Sequence, residues 1–274
     1  MVAISLHSIV PVRAEAREGA EQNTQMLFGE LCQIINHKSQ IKNPNWTYVR
    51  LESDGQEGWV DAKMICPMKT EEYEAYTEAL KTAALVAFPV AYAVSENNGQ
   101  TIPLTAGTRL AGYKDGRFEV LGVGFKIDPG MVITQALDLN EQNLLQTVRF
   151  FLNTPYLWGG KNALGMDCSG FTQIILSLFG RKLLRNASEQ ATQGTQVASL
   201  SEAQAGDLAF FTKSPITNHQ SQIPITHVGI VIDPTRIVHC SGRVKVEKLD
   251  ETGIFNSEKG DYSHQLIQIR KIAR

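Results

Sequence analysis

The feature that most constrains this 274-residue chain is a glycine-punctuated loop that runs from Pro155 into a cysteine, Cys168. Apolar side chains after the cysteine, up to Gly180, recur at the spacing of about 3.6 residues that is typical of a buried helix. Asp167 can cap the start of this helix, and Gly180 can end it. We therefore predict Cys168 in the first helical turn, where unpaired backbone N–H groups and the helix dipole favour a thiolate over a thiol.

A cysteine activated in this way needs a histidine, and two histidines follow in the sequence. His227 and His239 flank an Asp-Pro turn, and the β-branched apolar residues around them predict a hairpin. A three-residue loop at Ile232 to Pro234 would pair His227 directly with His239. A two-residue loop at Pro234-Thr235 would place them on opposite faces. In the first register Cys168 is the nucleophile, His227 its base, and His239 the group that orients the base.

Four ordered motifs carry a family resemblance. They are DCSGF at 167–171, EAQAGDLAFF at 202–211, HVGIVI at 227–232 and HCSG at 239–242. Their order and spacing resemble those of the NlpC-type cell-wall peptidases, a papain-like group of bacterial cysteine hydrolases. The resemblance implies an α+β fold with a papain-like peptidase domain. It also implies cleavage of peptidoglycan stem peptides, usually between D-glutamate and a diamino acid.

The same resemblance assigns roles to side chains around the nucleophile. Tyr156 matches a tyrosine whose hydroxyl lies near the cysteine and would donate to the oxyanion, with core packing as the alternative. Asp167 and Ser169 would contact the L-Ala amine and the D-Glu α-carboxylate of the substrate, unless Asp167 serves only as the helix cap. Arg185 is suited to bidentate binding of a carboxylate. Ser188 would replace a serine that family members carry one residue earlier.

Short apolar segments separated by Gly, Asn and Asp turns fill the first half of the chain and predict small β-barrels. Residues 1–66 resemble a bacterial SH3-like domain. A helix is predicted over 70–80, within a second, divergent SH3-like barrel that spans 67–132. The peptidase domain is placed at 133–274, with its first helix over 141–152.

The first barrel has two possible uses. Such barrels commonly bind wall polymers, which would make it a targeting module. Family members with the same three-part layout and no signal peptide instead recycle free muropeptides, and an acidic residue of their first barrel binds the free α-amine of an N-terminal L-Ala. Glu21 falls at that position, with an exposed loop glutamate as the alternative. Such a carboxylate would reject acylated substrates, because its charge would be left unmatched.

Composition limits the remaining function classes. The formal net charge of -2 gives no reason to expect nucleic acid or an anionic membrane as a partner. The cysteines are far apart, and no CxxC or HxxxH spacing predicts a zinc site, so no disulfide framework, metal or other cofactor is expected. The N-terminus has no basic n-region and no long apolar core. We expect a monomeric cytoplasmic enzyme, or a secreted one if a leader has been removed.

The sequence thus predicts a cysteine endopeptidase that hydrolyses the γ-D-glutamyl–diamino acid bond of stem peptides with a free N-terminal L-Ala, releasing L-Ala-D-Glu. Lysine and diaminopimelate both remain open as the leaving diamino acid. The alternatives are a secreted wall-lytic peptidase or amidase acting on intact peptidoglycan, and an inert wall-binding protein. The other histidines have no matching context and are given no role: His7, His37, His219 and His264.

Overall fold

The structure is a computed structural model that describes residues 1–35, 44–213 and 223–273. Its chain forms two compact units. The first comprises Met1–Gln135 and Trp158–Ala163, and the second comprises Ala136–Leu157 and Leu164–Arg274. Both units contain helices and antiparallel sheets, which confirms the predicted α+β class. Within the described ranges, no helix is long and apolar enough to cross a membrane.

The first unit begins with a β module over residues 2–67, which we name the first β module. Its strands are β1 (Val2–Ser5), β2 (Ile9–Arg13), β3 (Gln22–Leu27), β4 (Leu31–Ile34), β5 (Trp46–Leu51), β6 (Glu57–Asp61) and β7 (Ile65–Pro67). They form one seven-stranded sheet in the order β3-β2-β6-β5-β4-β1-β7. Alternate side chains such as Val10, Val12 and Val60 are buried, which is the two-residue period of a half-buried strand.

The second β module, over residues 84–133, follows the helix α1 (Thr70–Leu80), which has the predicted bounds. Its strands are β8 (Ala84–Val86), β9 (Val90–Ser95), β10 (Thr101–Thr105), β11 (Arg109–Leu110), β12 (Arg117–Val120), β13 (Val123–Ile127) and β14 (Val132–Ile133). The first unit also contains the short strand β15 (Lys161–Asn162) from later in the chain. The sheets of the second β module have the orders β10-β9-β13-β12 and β11-β8-β14.

The two β modules share a hydrophobic core. Phe28, just after β3, packs edge-on against Phe118 and Phe125, with ring centroids 6.3 and 5.6 Å apart. The buried Tyr76 hydroxyl of α1 donates to the backbone carbonyl of Gly29 at 3.0 Å. Because aromatic rings supply much of the buried area in a small core, the shared rings join the two modules into one unit.

The segment Trp158–Ala163 packs against the first β module. The side-chain oxygen of Gln25 accepts the backbone N–H of Lys161 at 2.8 Å. The Lys161 ammonium, almost fully buried, pairs with both oxygens of Glu30 at 3.0 and 3.2 Å. Gly159 has φ +69° and lies so close to a backbone carbonyl that a Cβ would overlap it. Half of the glycine-punctuated loop therefore belongs to the first unit.

The second unit carries the predicted catalytic residues. Its elements are α2 (Glu141–Val148), β16 (Gly165–Met166), α3 (Cys168–Leu178), α4 (Ala187–Gln190), β17 (Thr195–Val197), β18 (Leu208–Thr212), β19 (His227–Asp233), β20 (Arg236–Ser241), β21 (Arg243–Leu249), β22 (Gly253–Asn256) and β23 (Asp261–Lys271). The sheet order is β17-β23-β18-β19-β20-β21-β22, and β23 also pairs with β22, so strands β18 to β23 close on themselves.

Two helices of the second unit end where the local backbone conformation requires it. Helix α3 ends before Gly180, whose φ of +73° is the left-handed conformation expected of a glycine stop. Helix α2 ends at Val148, four residues earlier than the predicted 152. The backbone there tightens into turns with i to i−3 hydrogen bonds, and Asn153 adopts φ +68°. Helix α3 packs against β19 and β20, which brings its first residue to the hairpin.

Candidate active site

A buried ion pair fixes the start of helix α3, where Cys168 is the first residue. The Asp167 carboxylate accepts the backbone N–H of Gly170 at 2.7 Å, which confirms the predicted cap. The same carboxylate accepts two hydrogen bonds from Arg185, at 3.0 and 2.6 Å. Arg185 is 1 % exposed and also donates to the Ser169 hydroxyl at 2.9 Å. Side-chain hydrogen bonds from Arg185 and Asp167 therefore fix the helix start, in addition to the hydrogen bonds of the helix backbone.

The structure brings three of the sequence-predicted substrate contacts together. Asp167, Ser169 and Arg185 form one buried hydrogen-bonded group, so the carboxylate that Arg185 binds in a bidentate way here is that of Asp167. Ser188 lies at an exposed position of the short helix α4. The same helix joins α3 through Gln190, whose amide donates to the backbone carbonyl of Ser169 at 3.1 Å.

The Cys168 thiol is buried, and this reverses the expected bias toward thiolate. Burial raises the pKa of the Cys168 thiol to about 11, and the neighbouring Asp167 carboxylate raises it further. Hydrogen bonds from the backbone of Val228 and Ser169 act in the opposite direction and are outweighed. The prediction of a resting thiolate was therefore wrong, because loss of hydration exceeds the effect of the helix N-terminus. The nucleophile is a thiol that has to pass its proton to a base.

The hairpin that carries the two histidines combines one of the two loops considered with a shift of register. Asp233 pairs with Arg236, so the loop has two residues, and His239 lies opposite Gly229. This is the two-residue loop at Pro234-Thr235, the second of the two alternatives, and His227 does not lie directly opposite His239. The register shifts just before Asp233, which is the mark of a β-bulge. One extra residue on β19 cancels the change of face that a two-residue loop alone would cause.

The two histidines meet along a diagonal of the hairpin. The imidazole Nε2 of His227 and Nδ1 of His239 are 2.8 Å apart. Gly229, between His227 and the bulge, makes this possible. A Cβ at Gly229 would lie 2.7 Å from the Ile237 side chain and 2.9 Å from Cβ of His239. The glycine of the HVG motif therefore leaves the space in which His239 leans toward its partner.

A carboxylate that the sequence analysis missed completes the group. The Nε2 atom of His239 lies 2.8 Å from Oε2 of Glu247, and the Lys245 ammonium donates to Oε1 at 2.9 Å. Burial raises the pKa of Glu247, but the hydrogen bonds from His239 and Lys245 outweigh it and leave the pKa below its usual value. Glu247 is therefore charged. The signal in the sequence is weak, because it needs the register that sets His239 opposite Lys245.

This carboxylate determines where the hydrogens lie on both imidazole rings. A carboxylate only accepts, so Nε2 of His239 carries a hydrogen and Nδ1 of the neutral ring is an acceptor. Nε2 of His227 then donates to it, and Nδ1 of His227 is left with a lone pair. Burial lowers the pKa of His227 well below its ordinary value, and the neighbouring His239 and His264 lower it further. His227 is a neutral base with one nitrogen free for the thiol proton.

A third histidine, to which the sequence gave no role, stacks on the base. The rings of His264 and His227 are 4.2 Å apart between centroids and inclined by 25°. Burial lowers the pKa of His264 to about 3, so the ring is neutral. Of the remaining histidines, His7 is exposed in the first unit, and His37 and His219 lie outside the described residues.

The last two predicted positions lie in different units. In the second unit, the backbone N–H of Tyr156 donates to the Gly242 carbonyl at 2.9 Å. Burial raises the pKa of the Tyr156 phenol and the neighbouring Cys168 raises it further, so its hydroxyl stays a donor. In the first unit, the exposed Glu21 accepts the indole N–H of Trp158 at 2.7 Å. Among the described residues, no group of three or more His, Cys, Asp or Glu side chains could hold a metal ion.

Comparison with known proteins identifies two regions of the chain. The NlpC/P60 family model matches residues 153–259, which contain the cysteine and both histidines of the hydrogen-bonded group. The chain carries an NlpC/P60 domain. A model of the bacterial dipeptidyl-peptidase SH3 domain matches residues 12–65, within the first β module. The NlpC/P60 domain is a cysteine peptidase domain, so the chain is an enzyme, and the resemblance drawn from the sequence motifs is confirmed.

Two proteins of known name are similar to this chain along most of its length. It is 29% identical over 230 residues to gamma-D-glutamyl-L-lysine dipeptidyl-peptidase of Bacillus subtilis (strain 168), covering 79% of this chain and 71% of that protein. It is 27% identical over 272 residues to dipeptidyl-peptidase 6 of Lysinibacillus sphaericus, covering 92% and 93%. The crystal structure of an NlpC/P60 family protein from Bacillus cereus ATCC 10987 has the same fold, with a TM-score of 0.79 over 99% of both chains at 18% identity.

Replacing Arg185 tests how much the helix start depends on its ion pair. Arg185→Met leaves the Asp167 carboxylate buried without its partner, and breaking such a pair costs about 3–5 kcal/mol. We expect this loss in the free energy of unfolding, measured by urea titration followed by circular dichroism. The matched control is Arg236→Met, which removes partly exposed ion pairs with Glu141 and Asp233 and should cost about 1 kcal/mol or less. Equal losses in the two variants would contradict the role given to Arg185.

Glu247→Gln tests the assignment of hydrogens on the histidines. Lys245 holds Oε1, so the new amide turns its NH₂ group toward His239 and reverses both rings, which places a hydrogen on Nδ1 of His227. Reversal of this kind costs on the order of 10⁴ in kcat in a serine protease. We expect kcat to fall by roughly 10²–10⁴, and at least as far as in Glu247→Ala, although glutamine is closer to glutamate in shape.

The pH profile gives a second measurement on the same variants. The Glu247 charge favours the protonated histidine pair and raises its pKa, so removing the charge should move the acid limb of kcat/KM to lower pH. Glu251→Gln, at an exposed position, is the control and should change neither quantity. Near-normal kcat in Glu247→Gln would show that the carboxylate does not set the tautomers.

Proposed function

We propose that this peptidoglycan-related cysteine endopeptidase hydrolyses the γ-D-glutamyl bond to a diamino acid in stem peptides and releases L-Ala-D-Glu. The observation that carries the chemistry is the hydrogen-bonded series Glu247–His239–His227, with the buried Cys168 thiol at the backbone of Val228, the residue after His227. The bond is proposed from similarity, because the Bacillus subtilis relative is named for γ-D-glutamyl-L-lysine and the Lysinibacillus sphaericus relative is a dipeptidyl-peptidase.

In the first half-reaction the Cys168 sulfur attacks the γ-carbonyl carbon of D-glutamate. Its proton passes to Nδ1 of His227, and the imidazolium that forms is stabilised through His239 by the Glu247 carboxylate. The negative charge on the carbonyl oxygen is met by backbone N–H groups at the start of α3 and by the Tyr156 hydroxyl. His227 then donates the proton to the leaving nitrogen, the carbon–nitrogen bond breaks, and a thioester remains on the cysteine.

In the second half-reaction water replaces the leaving amine. Nδ1 of His227, neutral again, accepts a proton from the water as its oxygen attacks the thioester carbonyl. The carbon–sulfur bond breaks and His227 returns the proton to sulfur, which restores the thiol of Cys168. Because burial keeps both groups neutral at rest, charge separates only while substrate is being turned over.

The substrate range is also part of the proposal. A free N-terminal L-Ala is expected from the family resemblance, which gives Glu21 as the acid that binds its amine. A preference for free amines suits peptides that have already been released from the sugar chain, and we therefore propose that the enzyme recycles them in the cytoplasm. The alternative, attack on intact wall, predicts no such preference.

The products of a defined peptide test the proposed reaction. Mass spectrometry of L-Ala-γ-D-Glu-L-Lys and of its diaminopimelate analogue after incubation should reveal L-Ala-D-Glu and the free diamino acid. Cys168→Ala should abolish turnover, since it removes the sulfur that forms the thioester and the neighbouring Cys240 thiol donates to the backbone carbonyl of Met166 at 3.1 Å. Cys66→Ala, at a partly exposed position in the first unit, is the matched control and should leave turnover unchanged. Cleavage of the L-Ala–D-Glu bond instead, or turnover by Cys168→Ala, would overturn the proposal.

Blocking the substrate amine tests the recycling role. An N-acetylated tripeptide should lose roughly a hundredfold in kcat/KM against the free one, because the Glu21 carboxylate, exposed in the free enzyme, would be covered by the peptide without a matching charge. Glu21→Gln should lower activity on the free tripeptide and narrow this preference, while Glu18→Gln, an exposed neighbour, should not. Equal cleavage of free and acetylated peptides would favour a lytic enzyme acting on intact wall.

A further inference from the structure

The His227 ring is anchored through one edge, by its hydrogen bond to His239. Its Nε2 atom lies 2.8 Å from Nδ1 of that residue. The torsion that turns an imidazole about its Cβ–Cγ bond is broad and lacks sharp staggered minima. A hydrogen bond at one edge therefore leaves the direction of Nδ1 of His227, the atom that receives the thiol proton, loosely defined. The plane of the base has to be fixed by packing.

Three aromatic rings lie against the His227 ring, at different inclinations. His239 meets it edge-on, with ring centroids 5.0 Å apart and planes inclined by 84°. Phe211, its partner residue on β18, is tilted by 47° at 6.1 Å. His264 is the nearest and the most nearly parallel of the three, at 4.2 Å and 25°. A flat ring at this distance opposes rotation of the His227 ring, because rotation would drive the ring edge into its neighbour in a close-packed interior.

The backbone of β23 is shaped around His264. The pairing of β23 with β22 shifts by one residue at Ser263, and its pairing with β18 shifts by one residue at Ile267. These two β-bulges lie on either side of His264. Bulges bend a strand and re-aim its side chains, and they are frequent beside active sites. Gly253 of β22, with φ +147°, lies so close to β23 that a Cβ there would overlap the backbone carbonyl of His264.

A hydrogen bond fixes the plane of the His264 ring itself. Its Nδ1 atom lies 2.8 Å from the Ser263 hydroxyl oxygen, and this hydroxyl donates to the backbone carbonyl of Ile254 at 3.3 Å. Because a hydroxyl has a single hydrogen to donate, Nδ1 of His264 donates to the serine oxygen. Burial lowers the pKa of His264 to about 3. The ring therefore stays neutral and does not repel the proton that His227 takes up.

Packing alone does not account for an imidazole at position 264. The residue is 2 % exposed, and its Nε2 atom has no hydrogen-bond partner among the described residues. A buried polar atom without a partner lowers the stability of the folded state. A phenyl ring would fill the space without this cost, but it could not be anchored through Ser263. The imidazole therefore contributes a flat, neutral and anchored face more than it contributes stability.

We propose that His264 is a positioning residue of the catalytic site, whose ring holds the His227 ring in the plane that keeps Nδ1 directed at the Cys168 thiol. The inference rests on the proposed reaction, in which His227 accepts and returns the proton. His264 acts through the base, on which it stacks. When His227 is protonated, the same face lies against a cation, and the face of a neutral aromatic ring attracts a cation. The contact therefore serves both the resting base and the imidazolium.

Substitutions with and without a ring test this role. His264→Leu and His264→Met fill the space without a flat face, whereas His264→Phe keeps a ring. For tripeptide hydrolysis we expect kcat to fall roughly 10–100-fold in the first two, with KM changed by less than about twofold, because a misdirected base affects the transition state and not substrate binding. His264→Phe should stay within about fivefold of the original kcat, since it keeps the stacked face. Phe255→Leu, which removes a ring that meets Tyr262 on the neighbouring strand, is the matched control and should leave kcat unchanged.

Urea titration of the same variants separates orientation from folding. His264→Phe should be at least as stable as the original, because it removes the unpartnered nitrogen. A normal kcat in the folded His264→Leu and His264→Met variants overturns the proposal. An equal loss of kcat in His264→Phe and His264→Leu also overturns it. Failure of both ring-less variants to fold, while His264→Phe folds, would make the ring a requirement of the fold and likewise overturns the positioning role.

Alkylation of Cys168 separates this inference from the proposed function, because it needs no peptide. Iodoacetamide reacts with the thiolate, so its rate depends on transfer of the thiol proton to His227. Followed by mass spectrometry of the Cys168 peptide, the rate constant should fall about tenfold in His264→Leu and His264→Met and stay near the original in His264→Phe. This pattern supports the positioning role even if neither tripeptide is cleaved, in which case only the proposed function has failed. Unchanged alkylation in every variant, together with normal cleavage, overturns the positioning role and leaves the proposed function in place.

Discussion

The buried ion pair between Arg185 and Asp167 is the interaction on which the site depends. Removing two charges from water costs several kcal/mol per ion, and the attraction between them repays this only with good geometry. Here the Asp167 oxygens receive two guanidinium hydrogen bonds and one backbone N–H, and Ser169 accepts a third guanidinium hydrogen. The pair therefore specifies one arrangement of the helix start more than it adds to stability, and Cys168 inherits that arrangement.

The electrostatics of the site follow from the same burial. Burial raises the pKa of Cys168 and lowers that of His227, so the protein stores a neutral pair instead of a thiolate and an imidazolium. The permanent negative charge lies on Glu247, two hydrogen bonds away from His227, and the Lys245 ammonium balances it. This separation keeps a compensating charge ready for the imidazolium without placing it on the nucleophile.

The sequence predicted the parts of the site that depend on local pattern. Residue spacing and family motifs predicted the Asp167 cap, helix α3 and the residues that act as nucleophile, base and orienter. Helix α1 was predicted with the bounds that the structure shows. The hydrogen bond between the two histidines depends on a β-bulge just before Asp233. The strand there is a continuous apolar run, so nothing in the sequence marks the extra residue. Glu247 and His264 approach from other strands, and only the pairing of those strands reveals them. The thiol pKa was misjudged because the sequence shows the helix N-terminus but not the depth of burial.

The excursion of Trp158–Ala163 into the first unit has a consequence for how such proteins are assembled in evolution. The peptidase half is not a cassette that can be cut from its neighbour at one linker, because the chain passes between the units three times. A gene fragment beginning near Ala136 would encode Trp158 and Lys161 without the carboxylates of Glu21 and Glu30 that receive them. Recombination at the linker would thus leave the Lys161 ammonium without its carboxylate partner. We therefore expect the two halves to be inherited together.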